Sequence, residues 1–407
     1  MKKLMMFLLL LSFLPSCEML QDEEENVKPK EIVLRAPLQK RVVQDNDFAF
    51  ELLRKTIENN DDENVFLSPM SVSIALGMAL NGAENETETQ IASVLQLRDM
   101  TYAEINEYYK IMQSNLPGVD PKVKLSIANA VWYDKLFNVK QSFLDVNAEN
   151  FDAYIKMLDF QSPAALDTIN SWCSRKTNKL IPTILDEIPA EAVMYLTNAI
   201  YFKGLWSKKF DKKNTREAEF RNQSNQNVSV NMMSLKDTFM YYEDETAQYL
   251  SMPYGGKAFS MTVMLPVEGK STDSLLVGFD ATKWQNIQTG MTGREVQVFM
   301  PRLKVENKFK LKETLEDMGM PVAFTPMANF SGISDTPVMI SDIIHKTYVT
   351  VDEEGTEAAA VTAVQFEYTS IPEYKLFNVN RPFVFIISEK STGVILFAGK
   401  IGNPAKY

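Results

Sequence analysis

His345 is the sole histidine in a chain of 407 residues, and Cys17 and Cys173 are its two cysteines. A histidine acts as general base only where a nucleophile and an orienting carboxylate converge on it. No nucleophile elbow of the Gly-x-Ser-x-Gly kind supplies that partner. Neither Cys-x-x-Cys nor His-Glu-x-x-His spacing offers a metal-ligand set, and no Gly-rich loop offers a phosphate cradle. The side chains therefore point away from an enzyme and call for no cofactor and no metal. His345 reads as a buried, hydrogen-bonded residue. Asp and Glu number 53 against 42 Lys and Arg, a formal charge of -11. A surface this acidic repels phosphate backbones, which excludes nucleic acid as a partner.

The two cysteines have different fates. Residues 1–17 carry Lys2 and Lys3 ahead of an apolar run at 4–14, too short for a membrane-spanning helix and suited to a secretory signal. The run ends in Leu14-Pro15-Ser16-Cys17, which resembles the lipobox of bacterial lipoproteins. The resemblance implies that Cys17 carries lipid and holds the chain to a membrane. The carboxylates at 22–25 repel one another and stay solvated, so residues 18–42 read as a flexible acidic tether. An acidic run in that place is similar to the surface-export signal of Bacteroidetes lipoproteins, which implies an outer-membrane, surface-exposed protein. Cys173 then has no disulfide partner. It lies in a helix that Ser162 can cap, with Pro163 at the first position. Ala165, Leu166, Ile169, Trp172 and Cys173 share one face, so the thiol reads as core packing.

These residues must be positioned by the body of the chain. No composition break or Gly/Ser linker divides residues 43–407, which read as one domain. Apolar residues at helical spacing predict helices over 45–58 and from Ser68 or Pro69 to about residue 81. Strands are predicted at 193–202, 297–302, 347–351 and 383–387. Ser391-Thr392-Gly393 then turns the last of these into a hairpin with 394–400. Helices early and strands late, without regular alternation, give an α+β fold class.

One segment has two unlike faces at period two. Thr356, Ala358, Ala360, Thr362, Val364 and Phe366 form a face that is small, then apolar, and uncharged. Glu357, Ala359, Val361, Ala363, Gln365 and Glu367 form the other, with every carboxylate of the stretch. That is the pattern of a strand that buries one side. Gly355 before it supplies a backbone hinge.

Several separate blocks, in order, resemble the serpin family across nearly all of residues 43–407. They include Asn64-Val-Phe-Leu-Ser68-Pro69-Met-Ser71, Thr197-Asn198-Ala-Ile-Tyr-Phe202-Lys203-Gly204-Leu-Trp206 and Met300-Pro301-Arg302. Ile344-His345-Lys346, Val351-Asp352-Glu353-Glu354-Gly355-Thr356-Glu357-Ala358-Ala359-Ala360, Asn380-Arg381-Pro382-Phe383 and Gly399-Lys-Ile-Gly402-Asn403-Pro404 follow. The resemblance implies helices packed around a large mixed main sheet, further antiparallel sheets, and an exposed reactive-centre loop at about 354–371. It implies a monomer whose partner is a serine protease, and possible action on cysteine proteases, through a covalent acyl complex. The protease cuts the loop, and the loop then inserts as a new strand of the main sheet.

By the same resemblance, Glu353, Glu354, Gly355, Thr356, Glu357, Ala358, Ala359, Ala360 and Val361 form the hinge, and its small residues match the inhibitory pattern. The reactive bond falls among Tyr368, Thr369 and Ser370. No Arg or Lys lies between Glu354 and Ile371, which disfavours trypsin-like proteases and favours elastase-, chymotrypsin- or subtilisin-like ones. Ser68, Ser71, Asn198 and His345 are assigned to a polar cluster under the sheet opening. Trp206, Arg302 and Glu353 are assigned to the point where the loop first enters. A non-inhibitory serpin, acting as binding protein or protease substrate, is the alternative.

Overall fold

The computed structural model describes residues 28–356 and 374–406. Cys17, the acidic run at 22–25, hinge residues 357–361 and the bond at 368–370 lie outside them. Among the described residues the α-helices are α1 (Ala36–Glu58), α2 (Pro69–Leu80), α3 (Asn85–Val94), α4 (Tyr102–Asn115) and α5 (Gln141–Phe151). They continue with α6 (Pro163–Lys176), α7 (Thr272–Leu276), α8 (Ala281–Gly290) and α9 (Lys312–Asp317). The first strands are β1 (Asn64–Leu67), β2 (Val123–Asp134), β3 (Ala153–Leu158), β4 (Met194–Gly204), β5 (Arg216–Arg221), β6 (Asn227–Glu243) and β7 (Ala247–Tyr254). Then come β8 (Phe259–Pro266), β9 (Thr292–Pro301), β10 (Leu303–Lys310), β11 (Ile344–Val351), β12 (Lys375–Asn378), β13 (Phe383–Glu389) and β14 (Ile395–Ile401).

The strands form three sheets. The largest runs β1-β14-β13-β8-β7-β6-β9-β12, with β5 on β6. A second runs β3-β2-β4, and a third pairs β10 with β11. Among the described strand pairs only β12 on β9 and β3 on β2 are parallel. The fold is α+β, with helices packed on these sheets. β13 and β14 are buried at every position, as near-continuous apolar runs require when both faces are covered. Phe66 of β1 lies against Phe385 and Phe397, at 5.6 and 5.4 Å between ring centres. Helix α2 is apolar on nearly all sides and buried accordingly. It approaches α4 so closely that a Cβ on Gly77 would meet the Tyr109 ring at 2.6 Å.

Two expectations need correcting. The tether to residue 42 ends earlier. Helix α1 begins at Ala36, with Pro37 in its first turn, and Ile32 and Leu34 ahead of it are buried. The Lys30 amide donates to the Val119 carbonyl at 2.8 Å, and the Ile32 amide donates to Ser391 Oγ at 3.0 Å. Arg35 pairs with Glu104 and Glu107 of α4. The acidic run stops at residue 25, and the alternating Ile32 and Leu34 give this extended stretch an apolar edge to bury. Ser162, in turn, does not cap α6 with its side chain. Pro163 already removes one of the amides that a cap would satisfy. Ala165, Ile169, Trp172 and Cys173 are buried while Leu166 is only partly so. Burial pushes the Cys173 thiol up to about 12, leaving it inert.

A buried ionic knot joins α1, α2 and α4. Arg41 donates to Asp45 Oδ1 at 2.5 Å, Ser73 Oγ at 3.2 Å, Tyr109 OH at 3.1 Å and the Leu95 carbonyl at 3.1 Å. Asp45 also accepts from Ser73 Oγ at 2.7 Å and from Tyr108 OH at 2.6 Å. The knot fixes the helix whose first turn carries Ser68 and Ser71. Asp45→Ala leaves a fully buried guanidinium unpaired and is expected to cost about 3–5 kcal/mol. The check is the urea midpoint, and a midpoint equal to that of the wild type would contradict this role.

Candidate functional site

Among the described residues, strands β4 and β11 each end their sheet, and the two are not paired with one another. Both line one narrow cleft, β4 with Ile200, Tyr201 and Phe202 and β11 with Thr347, Tyr348 and Val349. Phe66, Ile387 and Phe397 of the large sheet lie beneath. Thr356 stands in the same cleft.

The chain turns back on itself at the mouth of the cleft. After Val351 the Asp352 amide donates to the Gly355 carbonyl at 2.9 Å, and the Gly355 amide donates to the Asp352 carbonyl at 3.3 Å. Gly355 has φ 144° and forms an antiparallel bridge with Leu205. A Cβ at this position would lie 2.2 Å from the Gly204 carbonyl oxygen, so only glycine fits. The Thr356 amide then donates to the Gly204 carbonyl at 2.8 Å. Its hydroxyl lies 3.2 Å from Tyr254 OH, and the residue is 5% exposed. The loop expected to be exposed from residue 354 is thus folded in as far as Thr356. A small uncharged side chain lets it seat against β4.

Trp206 and Glu353 hold this turn. The Trp206 amide donates to the Glu354 carbonyl at 2.8 Å, and its indole donates to the Asp352 carbonyl at 2.9 Å. Its ring stacks on Tyr254, with 4.4 Å between centres and 11° between planes. The Glu353 carboxylate is buried and accepts from Arg302 Nε at 2.9 and 3.0 Å, from Arg302 Nη2 at 2.7 Å, and from the Thr215 hydroxyl. Burial pushes its pKa up, but the hydrogen bonds from Arg302 and Thr215 outweigh that and hold it below the usual carboxylate range. Glu354 faces outward to Lys209 at 2.6 Å and Lys212 at 3.5 Å.

A polar cluster lies deeper, and it bonds to both edges. The Ser68 amide donates to His345 Nε2 of β11 at 2.9 Å, so the ring proton sits on Nδ1. Ser68 Oγ donates to the Leu396 carbonyl at 2.7 Å and accepts from the Ser71 amide at 3.3 Å, capping α2. The Ser71 hydroxyl donates to Asn198 Oδ1 of β4, and Asn198 Nδ2 donates to Asn129 Oδ1 at 2.6 Å. Asn129 reaches the Phe151 carbonyl at 2.6 Å and Gln113 of α4. Thr347 Oγ1 donates to the Phe66 carbonyl at 2.6 Å, tying β11 to β1. Burial alone pushes His345 down to about 4.

The structure therefore brings Ser68, Ser71, Asn198 and His345 into one cluster and Trp206, Arg302 and Glu353 into another. Reasoning from the residues missed Asn129, Gln113, Tyr254, Thr215 and Thr347. Asn129 had a signal, an amide inside the apolar run Ile127-Ala-Asn129-Ala-Val131-Trp132, like Asn198 in its own strand. Tyr254 precedes a Gly255-Gly256 turn between two strands. Thr215 had none.

A family model described as serpin (serine protease inhibitor) matches residues 43–404. An uncharacterized serpin-like protein of Thermococcus kodakarensis is 35% identical over 366 residues, covering 88% of this chain and 84% of the relative. The crystal structure of tengpin, a thermophilic serpin in its native state, superposes with a TM-score of 0.83 at 33% identity, over 93% of this chain and 97% of that one. Human thyroxine-binding globulin complexed with its hormone superposes at 0.82 with 28% identity, over 91% and 100% of the two chains.

The buried imidazole makes stability depend on pH. In the native chain it stays neutral down to about pH 4, whereas unfolded it takes a proton below about 6.5. Its contribution is therefore complete above pH 6.5 and falls as pH drops toward 4, by on the order of 3 kcal/mol across that window. In urea midpoints measured from pH 7.5 to 4, the gap between wild type and His345→Gln is expected to shrink by this amount. Parallel profiles would refute the assignment.

Proposed function

The chain belongs to the serpin family, and from that premise we propose that it is a suicide inhibitor of serine proteases with elastase-, chymotrypsin- or subtilisin-like pockets. It performs no turnover of its own. Family membership alone does not carry this reading, because a globulin complexed with a hormone shares the fold. One observation does: Gly355 bridges Leu205 at the end of β4, and Thr356 is seated in the cleft that β4 and β11 line, as the start of a strand would be.

The register of that start makes the proposal concrete. The bridge Leu205 to Gly355 is antiparallel. Continued without a slip, it sets Thr356 against Gly204, Ala358 against Phe202, Ala360 against Ile200, Thr362 against Asn198 and Phe366 against Met194. Residues 356–366 would then span all of β4 (Met194–Gly204). β11 leads up to the turn and β4 runs up to Gly204, so the new strand would be antiparallel to both neighbours. The uncharged face of the segment would share the side of Phe202 and Ile200, which is buried in the main core. Glu357 would lie opposite Lys203. Tyr368, Thr369 and Ser370 would fall just beyond the strand's far end, so a protease esterified there would be carried the length of β4.

Energetics support the direction. Each net hydrogen bond contributes roughly 0.5–1.5 kcal/mol, and apolar burial adds to it, so about a dozen residues release on the order of 10–20 kcal/mol. A protease domain is held by typically 5–15 kcal/mol, so insertion can distort its active site before deacylation. The native chain persists because of a barrier to insertion rather than as its most stable state. We further propose that Cys17 is lipidated and that the protein acts as a monomeric lipoprotein of the Bacteroidetes type on the outer surface of the outer membrane.

Wild-type chain mixed with elastase is expected to give a detergent-stable adduct cut within residues 368–370. Thr356→Arg, which puts a charge against β4, is expected to lower adduct yield at least tenfold while loop cleavage continues and the protease stays active. Unchanged adduct yield would refute insertion through this cleft. Clean cleavage of wild type by elastase, a chymotrypsin-like protease and subtilisin, without adduct, would favour the substrate or binding role instead. In the cell, Cys17→Ala is expected to move the chain from membrane to soluble fractions; retention in the membrane would refute lipid anchoring.

A further inference from the structure

We propose that the lysines clustered around Pro29 form a membrane-docking surface, which lies on the anionic phosphate headgroups of the bilayer that lipid on Cys17 enters. This rests on the reading that Cys17 is lipidated. Lys28, Lys30, Lys122, Lys257 and Lys390 are all exposed. Contacts between distant segments draw them together. A Cβ on Gly256 would stand 2.8 Å from Pro29 Cγ, and one on Gly255 would stand 3.0 Å from Lys122 Cβ. The Lys30 amide donates to the Val119 carbonyl and the Lys390 amide to the Ala258 carbonyl, each at 2.8 Å. The Ile32 amide reaches Ser391, next to Lys390. Two carboxylates among these lysines are buried and spent on the fold. Asp120 accepts from the amides of Lys122, Gly256 and Ala258, and Glu389 accepts from the amides and hydroxyls of Ser391 and Thr392. Glu31 is exposed on the same stretch, against five lysines. Val33, 86% exposed, adds an apolar side chain to it.

Chain length and charge decide the occupant. Residue 17 lies so few residues before Lys28 that lipid there keeps the patch within about 40 Å of the headgroups. Lysines close to an anionic bilayer are attracted to it, and a basic patch is a second signal that makes a lipid anchor firm. Charges are screened beyond about 8 Å at physiological salt, so the patch acts locally although the whole chain carries -11. The acidic run at 22–25 is another anion within reach. It approaches Lys28 from the N-terminal side, and would have to double back along residues 28–33 to cover Lys390. It also offers Val33 nothing apolar. A headgroup layer covers the whole patch at once and accepts an apolar side chain beside the lysines. Docked in this way, the domain keeps one orientation to the membrane.

The test uses the chain from Cys17 onward with no lipid attached, so it stands apart from lipidation, which the fractionation of Cys17→Ala decides separately. Sedimentation with phosphatidylcholine vesicles containing about 30% phosphatidylglycerol, at low salt, is expected to carry the chain down, and phosphatidylcholine alone is not. Lys30→Gln combined with Lys257→Gln and Lys390→Gln is expected to lower the partition coefficient at least tenfold, with the urea midpoint unchanged. Equal binding to both vesicles, or wild-type binding by this variant, would overturn the proposal. So would an equal loss from Lys110→Gln combined with Lys304→Gln and Lys310→Gln, three exposed lysines outside the patch, since net charge would then be the cause. Without vesicles, amine labelling of Lys30, Lys257 and Lys390 is expected to keep its rate when Asp22, Glu23, Glu24 and Glu25 are replaced by their amides. A severalfold rise would make the chain's own acidic run the occupant and overturn the membrane assignment.

Discussion

The first turn of α2 bonds to both sides of the same cleft. Through the Ser68 amide it holds His345 on β11, and through the Ser71 hydroxyl it holds Asn198 on β4. Two sheet edges that could close on each other are each given a partner in the helix beneath them. Most of what distinguishes this chain from an ordinary α+β domain depends on that arrangement. A wholly apolar seam has no such directional bonds to keep its edges apart. A buried polar cluster, by contrast, is satisfied in one arrangement and costly in partial ones.

The cluster is itself held from outside the cleft. Asn198 leads through Asn129 to Gln113 on α4, and α4 is locked to α1 and α2 by the knot around Arg41. The stretch before α1 reaches the same helix through Arg35. Pro29 also packs where a Cβ on Gly256 would stand, beside the turn that follows Tyr254. The mouth of the cleft and its polar interior thus share supports, although they lie at different levels of β4. At the mouth, the Arg302–Glu353 contact is better described as a latch than as a store of stability. Its carboxylate is buried while its guanidinium is partly solvated, so desolvation offsets much of the attraction.

The hinge shows how a local rule and a tertiary one combine. The period-two pattern of residues 356–366 states which side of a strand would be buried, and it states this without any neighbour. The bridge at Gly355 supplies the neighbour and the register. Because side chains alternate, a slip of one residue would send the carboxylate face into the core. The uncharged face and the observed bridge agree in parity, and this agreement links the sequence pattern to the proposed insertion.

Much of this was legible in the residues. Apolar periodicity placed α2, β4, β11 and the terminal hairpin, because those patterns reflect one-sided or complete burial that any compact fold must provide. The blocks around Ser68, Asn198, Arg302 and Glu353 gave the family. What the sequence could not decide was contact at a distance. Whether residues 28–42 were tether or structure depended on Val119, Ser391 and α4 being near. Whether Ser162 capped its helix depended on one rotamer. Thr215, Asn129 and Tyr254 joined their clusters only when strands far apart in the chain came together. The separation of β4 from β11, on which the proposed function turns, is a property of neither strand alone. It goes with contacts from elsewhere in the chain: the first turn of α2 bonds to each strand, and Phe66, Ile387 and Phe397 of the large sheet lie beneath the cleft.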